Sequence, residues 1–131
     1  MTLHHIGYTV ADIAATAASF TRLGYHPGPV LFDEDLQVEI CYLTCEGHDT
    51  IELIHQLNDA SLEAQLLQAH GVMPYHLAYE ADDFDRACRE FDALGYHRLF
   101  DPVAVKALGG IRICYFHHPD IGYVELLEKQ R

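Results

Sequence analysis

Residues 74–84 read Pro-Tyr-His-Leu-Ala-Tyr-Glu-Ala-Asp-Asp-Phe, and they repeat residues 3–13, which read Leu-His-His-Ile-Gly-Tyr-Thr-Val-Ala-Asp-Ile. A shift of 71 positions places His5 on His76, and the match continues to residues 23–26 and 94–97, both of which read Leu-Gly-Tyr-His. The chain therefore contains two copies of one structural unit, and this repeat decides the fold.

The later part of each copy matches with a shift of 73 positions. Residues 40–42 and 113–115 both read Ile-Cys-Tyr, and Glu52 falls on Glu125. Two long repeats are too few for a solenoid, so we expect one domain, residues 1–131, built from two copies. We place the first module at about 3–57, a connecting helix at about 58–73 and the second module at about 74–128.

Each module follows the order strand, helix, strand, strand, strand. In the first, residues 3–10 alternate as a strand, and Asp12 begins a helix that ends at Gly24. Further strands are predicted at 30–32, 37–43 and 50–54, and a connecting helix at 61–70. In the second module, strands are expected at 76–81, 98–100, 111–116 and 123–127, with a helix from Asp83. The pattern predicts an α+β fold with two tandem βαβββ modules in a curved mixed sheet around a cup.

Composition and charge exclude several classes of protein. Half of the 131 residues are hydrophobic, so we expect a folded domain, and no apolar run has the roughly 18 residues of a membrane span. The formal net charge of -12 would repel a phosphate backbone, which argues against nucleic acid as a partner. The start of the chain lacks the pattern of a signal peptide, so we expect a cytoplasmic protein.

One histidine and one glutamate of each module are predicted to share a sheet face. Ile6 and Tyr8 suit the face that packs on the helix, which turns His5 away from it, and Glu52 is turned the same way by its flanking residues. His76 and Glu125 repeat this arrangement. Two imidazoles and two carboxylates suit a divalent ion such as Zn, Ni, Co, Fe or Mn, so the duplication predicts one metal ion per site.

With these motifs the chain resembles the vicinal oxygen chelate superfamily, which contains glyoxalase I, methylmalonyl-CoA epimerase, extradiol dioxygenases and bleomycin-resistance proteins. The resemblance covers nearly the whole chain and is strongest to the epimerase and to small bacterial glyoxalase-like proteins. It rests on four strand motifs: residues 4–8, 51–54, 74–80 and 123–128.

The resemblance implies that His5, Glu52, His76 and Glu125 bind the metal ion. It also implies proton transfer beside a metal-bound carbonyl, with Glu125 as one base and a second base across the substrate. The epimerase pattern has a glutamate in the loop before the third strand, where this chain offers Glu34 or Asp35. Four protein ligands leave about two positions on an octahedral ion, which argues against oxygen chemistry.

The acidic run at residues 33–35 has no acidic counterpart in the second module, where residues 103–105 read Val-Ala-Val before Lys106. An asymmetric pocket suits two-base chemistry, so we favour epimerisation of a branched acyl thioester. Isomerisation of a glutathione hemithioacetal, as in glyoxalase I, and non-catalytic binding of a small molecule are the alternatives. We expect a small carbonyl or thioester substrate and a homodimer, with Arg98, Lys106 and Arg112 as the nearest partners for an anionic group.

Other residues of functional type are assigned structural roles. His117 and His118 are expected at the surface, and His26 and His97 are expected to bond the last carbonyls of the preceding helices. The four cysteines are expected to be small core residues. Residues 106–110, ending in Gly-Gly, are consistent either with a plain hairpin loop or with a backbone that approaches a ligand.

Overall fold

The computed structural model describes residues 1–130, and within them the order of elements confirms the predicted α+β class and tandem βαβββ arrangement. The strands are β1 (Thr2–Thr9), β2 (His26–Asp33), β3 (Val38–Thr44), β4 (Ile51–Gln56), β5 (Met73–Ala81), β6 (His97–Arg98), β7 (Val103–Val105), β8 (Ile111–His118) and β9 (Gly122–Glu128). The helices are α1 (Ile13–Thr21), α2 (Leu62–His70) and α3 (Phe84–Ala93), with a short 3-10 helix at Lys106–Leu108. None of these helices has the length and apolar composition of a membrane span.

The chain divides into two compact units. One comprises His5–Tyr75, and the other comprises residues 76–130 together with Met1–His4. We call them the first and the second unit. The boundary runs through β1, so the N-terminal residues of this strand are grouped with the later half of the chain.

The first unit has the strand order β2-β3-β4-β1, in which β1 and β4 are parallel and the other pairs are antiparallel. Asp12 caps α1, because its side chain accepts a hydrogen bond from the amide of Ala15 at 3.1 Å. One face of the sheet packs on α1 through a core that includes Leu43 and Leu53, both fully buried. The helix thus occupies one face and leaves the other for His5 and Glu52.

The connecting helix α2 begins at Ser61, whose hydroxyl accepts a hydrogen bond from the amide of Ala64. It packs on a separate cluster that includes Ile40 and Ile54 of the first unit. The side chain of Thr9 donates to the backbone oxygen of Glu63 at 2.8 Å, which ties α2 to the end of β1.

The second unit repeats this plan. Strands β5 and β9 are parallel, β9 and β8 are antiparallel, and both β6 and β7 pair with β8. Asp83 caps α3 as Asp12 caps α1, and accepts a hydrogen bond from the amide of Arg86 at 3.1 Å. The core under α3 includes the fully buried Phe116 and Leu126.

Two strands differ most from the sequence-based expectation. The strand predicted at 30–32 begins at His26, because an edge strand with an irregular register between Pro27 and Val30 tolerates prolines. The strand predicted at 98–100 is instead split into β6 and β7. Pro102 lies between them and has no amide hydrogen to donate to β8.

Candidate metal centre

In the first unit, His5 and Glu52 form a buried pair. His5 lies on β1 and Glu52 on the parallel strand β4, where Glu52 is opposite Gly7 in the register. Ile6 and Tyr8 pack on the α1 core, so alternation turns His5 to the opposite face. His5 is 0% exposed and Glu52 2% exposed, and Nε2 of the imidazole lies 3.1 Å from Oε1 of the carboxylate.

In the second unit, His76 and Glu125 form the equivalent pair. They lie on the parallel strands β5 and β9, where Glu125 is opposite Ala78. Both side chains are buried, and Nε2 of His76 lies 3.2 Å from Oε1 of Glu125. The two units therefore reproduce the same pair of ligand types with nearly the same separation.

The donor atoms fit a divalent metal ion. Two atoms that each lie about 2.1 Å from one ion, at right angles to each other, are about 3.0 Å apart. Both His–Glu separations are close to this value. Buried carboxylates also require a compensating positive charge, which a divalent ion supplies. Each unit thus contains a buried histidine and a buried glutamate of the types that could hold a metal ion.

A tyrosine accompanies each pair. Tyr42 on β3 is the cross-strand partner of Glu52, and its ring centroid lies 5.6 Å from that of His5 in an edge-on arrangement. Tyr115 on β8 is the partner of Glu125, and its ring centroid lies 5.1 Å from that of His76. The sequence reasoning did not assign these tyrosines to the site, although the repeated Ile-Cys-Tyr was the available signal.

Comparison with known proteins supplies the family. The sequence profile of the Glyoxalase/Bleomycin resistance protein/Dioxygenase superfamily matches residues 4–115. The chain belongs to this superfamily. No curated protein matches the sequence.

Several solved structures are similar to this chain in fold. A methylmalonyl-CoA epimerase from Mycobacterium tuberculosis aligns with a TM-score of 0.83 at 24% identity, covering 99% of this chain and 89% of that one. A hypothetical protein from Bacillus halodurans C-125 gives the same TM-score and identity, with 99% and 95% covered. An epimerase variant from Streptomyces coelicolor, in complex with 2-nitronate-propionyl-CoA, has a TM-score of 0.83 at 21% identity, with 100% and 99% covered. At these identities the similarity shows the fold alone and leaves the reaction open.

The acidic run considered for a second base follows β2. Glu34 and Asp35 lie in the turn between β2 and β3, and both are exposed. Asp33, the last residue of β2, is only 1% exposed and accepts a hydrogen bond from the amide of Leu36 at 3.0 Å. Asp33 pairs with Val38 on β3, and Tyr42, the partner of Glu52, lies four residues further along the same strand. Residues an even number apart on a strand share a face, so Asp33 lies on the same sheet face as Glu52. Within this run the buried carboxylate is therefore Asp33, which the sequence reasoning did not select.

Two basic residues expected near an anionic group are already paired. Arg98 makes two hydrogen bonds to the carboxylate of Asp92, which raise the pKa of the arginine. Arg112 bonds to Asp85 and Glu128, and these hydrogen bonds raise its pKa as well. The charges of both guanidinium groups are thus compensated by neighbouring carboxylates.

Four other histidines considered in the sequence lie near strand ends. His26 and His97 are exposed at the start of β2 and β6. His117 and His118 are half-buried rather than fully exposed: His117 packs on Tyr123 at 4.8 Å between ring centroids, and Nδ1 of His118 accepts from the amide of Asp120.

The cysteines are largely core residues, as expected. Cys41, Cys88 and Cys114 are buried, whereas Cys45 is half-buried. Burial raises the pKa of Cys41 and Cys88 and raises that of Cys114 to about 12. These three thiols are therefore poor nucleophiles at neutral pH.

Proposed function

We propose that the protein is a divalent-metal-dependent enzyme that transfers a proton next to a carbonyl group, in the manner of methylmalonyl-CoA epimerase. The observation that carries this proposal is the buried His–Glu pair that occurs once in each unit with matching geometry. Membership of the superfamily supports it.

In this proposal His5, Glu52, His76 and Glu125 hold one ion. When bound, such an ion supplies Lewis acidity, which polarises a substrate carbonyl and makes the neighbouring C–H bond more acidic. All four side chains are buried, so the site excludes most water and strengthens the electrostatic interactions within it. The ion is proposed to be Zn, Ni, Co, Fe or Mn, which the mixed nitrogen and oxygen donors suit.

Glu125 is proposed as the base on the metal side. Its carboxylate takes the proton as the C–H bond breaks, and a protonated carboxylic acid on the opposite side of the substrate returns a proton to the other face. Exchange with water then restores both groups. We propose that the second acid comes from the acidic run, from Glu34 or Asp35 as the family pattern suggests, or from the buried Asp33 beside them.

The proposed substrate is a small acyl thioester with a branched 2-carbon. Similar folds include epimerases in complex with 2-nitronate-propionyl-CoA or with methylmalonyl-CoA, which supports a thioester as the substrate class. One observation favours a second candidate, a glyoxalase I-like lactoylglutathione lyase. Because each unit supplies one glutamate in an equivalent buried pair, isomerisation of a hemithioacetal could use these glutamates alone.

The test is proton exchange at the substrate. The purified protein is first analysed for bound metal, because a non-catalytic binding protein has no need of one ion per chain. The metal-loaded enzyme is then incubated with one enantiomer of methylmalonyl-CoA in heavy water, and deuterium at the 2-carbon is followed by NMR. We expect exchange and racemisation in the parent protein and their loss in Glu125→Gln.

Glu128→Gln is the matched control, because Glu128 lies on the same strand, β9, and alternation places it on the opposite face. The variants Asp33→Asn, Glu34→Gln and Asp35→Asn identify the second base, since loss of a general base costs roughly a hundredfold or more in rate. No exchange in the parent, combined with turnover of the methylglyoxal–glutathione adduct, would replace the epimerase proposal by the glyoxalase one.

The single-domain organisation, the homodimer and the cytoplasmic location stay predictions. Light scattering of the purified protein measures the oligomeric state, and a single cooperative unfolding transition would support one domain.

A further inference from the structure

The two tyrosines beside the ligand pairs have the same placement in both units. Tyr42 on β3 and His5 on β1 lie on either side of β4, and Tyr115 on β8 and His76 on β5 lie on either side of β9. Strands two places apart in a sheet are separated by about 9.6 Å, which a tyrosine side chain spans only by leaning across the strand between. Each ring therefore extends over the strand that carries the glutamate to reach the imidazole.

The tyrosine rings and the ligand pairs differ in exposure. His5 and Glu52 are 0% and 2% exposed, whereas Tyr42 above them is only half-buried. The second unit shows the same difference in exposure: Tyr115 is half-buried, whereas His76 and Glu125 are each 3% exposed. In both units the ring that contacts the imidazole is therefore more exposed than the pair beside it, as expected of a group that shields the pair.

The neighbours of the imidazoles also restrict their orientation. An edge-on or tilted ring at 5 to 6 Å between centroids is a favourable aromatic contact. Outer-shell hydrogen-bond partners fix the orientation of a ligating imidazole, and their loss typically costs about 10- to 100-fold in metal affinity. We take the same scale for a ring contact that fixes the imidazole.

We propose that Tyr42 and Tyr115 are positioning residues, whose aromatic rings hold the imidazoles of His5 and His76 in ligand orientation and shield them from water. The ring carries this role and the hydroxyl does not. The part of the inference that concerns metal affinity rests on the proposed function, whereas the part that concerns shielding does not.

The first experiment measures metal affinity by calorimetry in four variants, Tyr42→Phe, Tyr42→Leu, Tyr115→Phe and Tyr115→Leu. We expect the phenylalanine variants to keep the affinity of the parent and the leucine variants to lose about 10- to 100-fold. Tyr8→Leu and Tyr79→Leu are the controls, because these tyrosines are equally half-buried but pack on the helix-side cores. They should lower thermal stability as much as the test variants while retaining metal affinity.

The second experiment needs no metal. The metal-free protein is treated with diethyl pyrocarbonate, which acylates accessible imidazoles, and each histidine is followed by peptide mass spectrometry. The exposed His26 and His97 serve as internal standards. We expect His5 to react about tenfold faster in Tyr42→Leu, and His76 in Tyr115→Leu, with no change in the phenylalanine variants.

The two experiments distinguish failure of the proposed function from failure of the inference about the tyrosines. A parent protein that binds no divalent metal refutes the proposed function, and the acylation rates then decide the inference. Unchanged protection of His5 and His76 in the leucine variants would overturn the proposal whether or not metal binds. An equal loss of affinity in Tyr42→Phe and Tyr42→Leu would assign the effect to the hydroxyl and overturn the role of the ring.

Discussion

The first unit and the second unit present the same His–Glu–Tyr arrangement, but the strands beside it differ. In the first unit β2 is a single strand of eight residues that leads into an acidic turn and ends in the buried Asp33. In the second unit the same position is divided between β6 and β7, and a 3-10 helix and two glycines follow. The parallel pairs β1–β4 and β5–β9, each backed by a helix, have kept the ligands in equivalent places.

The difference indicates that two parts of each unit have different roles. The paired strands under the helix set the position of the candidate ligands, because their other face is fixed by the core. The strand farther from the ligands has no such constraint and carries different chemistry in the two halves. Substrate selectivity should therefore depend on the regions after β2 and around residues 103–110, and the experiments below test how far the equivalence of the two units extends.

The largest expected effect concerns the ligands. His5→Ala and His76→Ala should each lower the affinity for a divalent ion by at least about a hundredfold, because each removes one donor from a small buried set. Calorimetric titration with Zn²⁺ measures the loss, and the melting temperature of the metal-free variants serves as the control. A loss in one variant alone would show that the two units do not contribute equally to the site.

An effect of similar size, but on stability, is expected in the two cores. Leu53 and Leu126 occupy equivalent positions and are both 0% exposed. Leu53→Ala and Leu126→Ala should each lower the free energy of unfolding by about 2–5 kcal/mol, through lost burial and the cavity left behind. Urea unfolding followed by circular dichroism measures both values. Two separated transitions, with each variant shifting only one, would show that the units unfold independently.

The helix caps provide a finer comparison. Asp12 and Asp83 each accept one amide hydrogen bond at 3.1 Å at the start of α1 and α3. Replacement of either by alanine should cost about 0.5–2 kcal/mol. The corresponding asparagine variants keep a capping oxygen and should retain most of the stability. Alanine variants with the stability of the parent would show that the caps are dispensable.

The smallest expected effect is a pH dependence of stability that arises only in the second unit. Hydrogen bonds from Arg112 lower the pKa of Asp85 and of Glu128 from their ordinary values of 3.8 and 4.5. A lowered carboxyl pKa contributes stability above the ordinary value, and this contribution is lost as the pH falls through the folded-state pKa. The residue equivalent to Arg112 in the first unit is Glu39, which cannot make these bonds.

The expected result is a narrow pH dependence. The stability difference between the parent and Arg112→Leu should be largest above pH 5 and should shrink as the pH falls below about 4. Thermal unfolding from pH 2 to 7 measures it, with Arg86→Leu as the control, because Arg86 forms an exposed pair within α3. A difference that grows on acidification would contradict the assignment.

Much of this structure can be predicted from the sequence, because the repeat provides two related sequences for each element. The two caps, the glycine ends of α1 and α2 with positive φ at Gly24 and Gly71, and the shared face of each His–Glu pair follow from local patterns. The extension of β2 across Pro27 could not be predicted, because the tolerance of an edge strand for proline depends on its place in the sheet.

The missed parts of the site have a similar cause. A tyrosine next to a buried cysteine resembles a core residue, and only the strand order shows that Tyr42 reaches across β4 to His5. Likewise, three consecutive acidic residues look alike in sequence. The end of β2 buries Asp33 and exposes Glu34 and Asp35, and that boundary is a property of pairing with β3.

The grouping of Met1–His4 with residues 76–130 has a practical consequence for dissecting the protein. A cut between Tyr75 and His76 would not yield two self-sufficient fragments, because the later fragment would lack the four N-terminal residues that belong to its compact unit. Deleting those four residues from the intact chain should likewise loosen the C-terminal half in hydrogen–deuterium exchange more than the strands that follow directly.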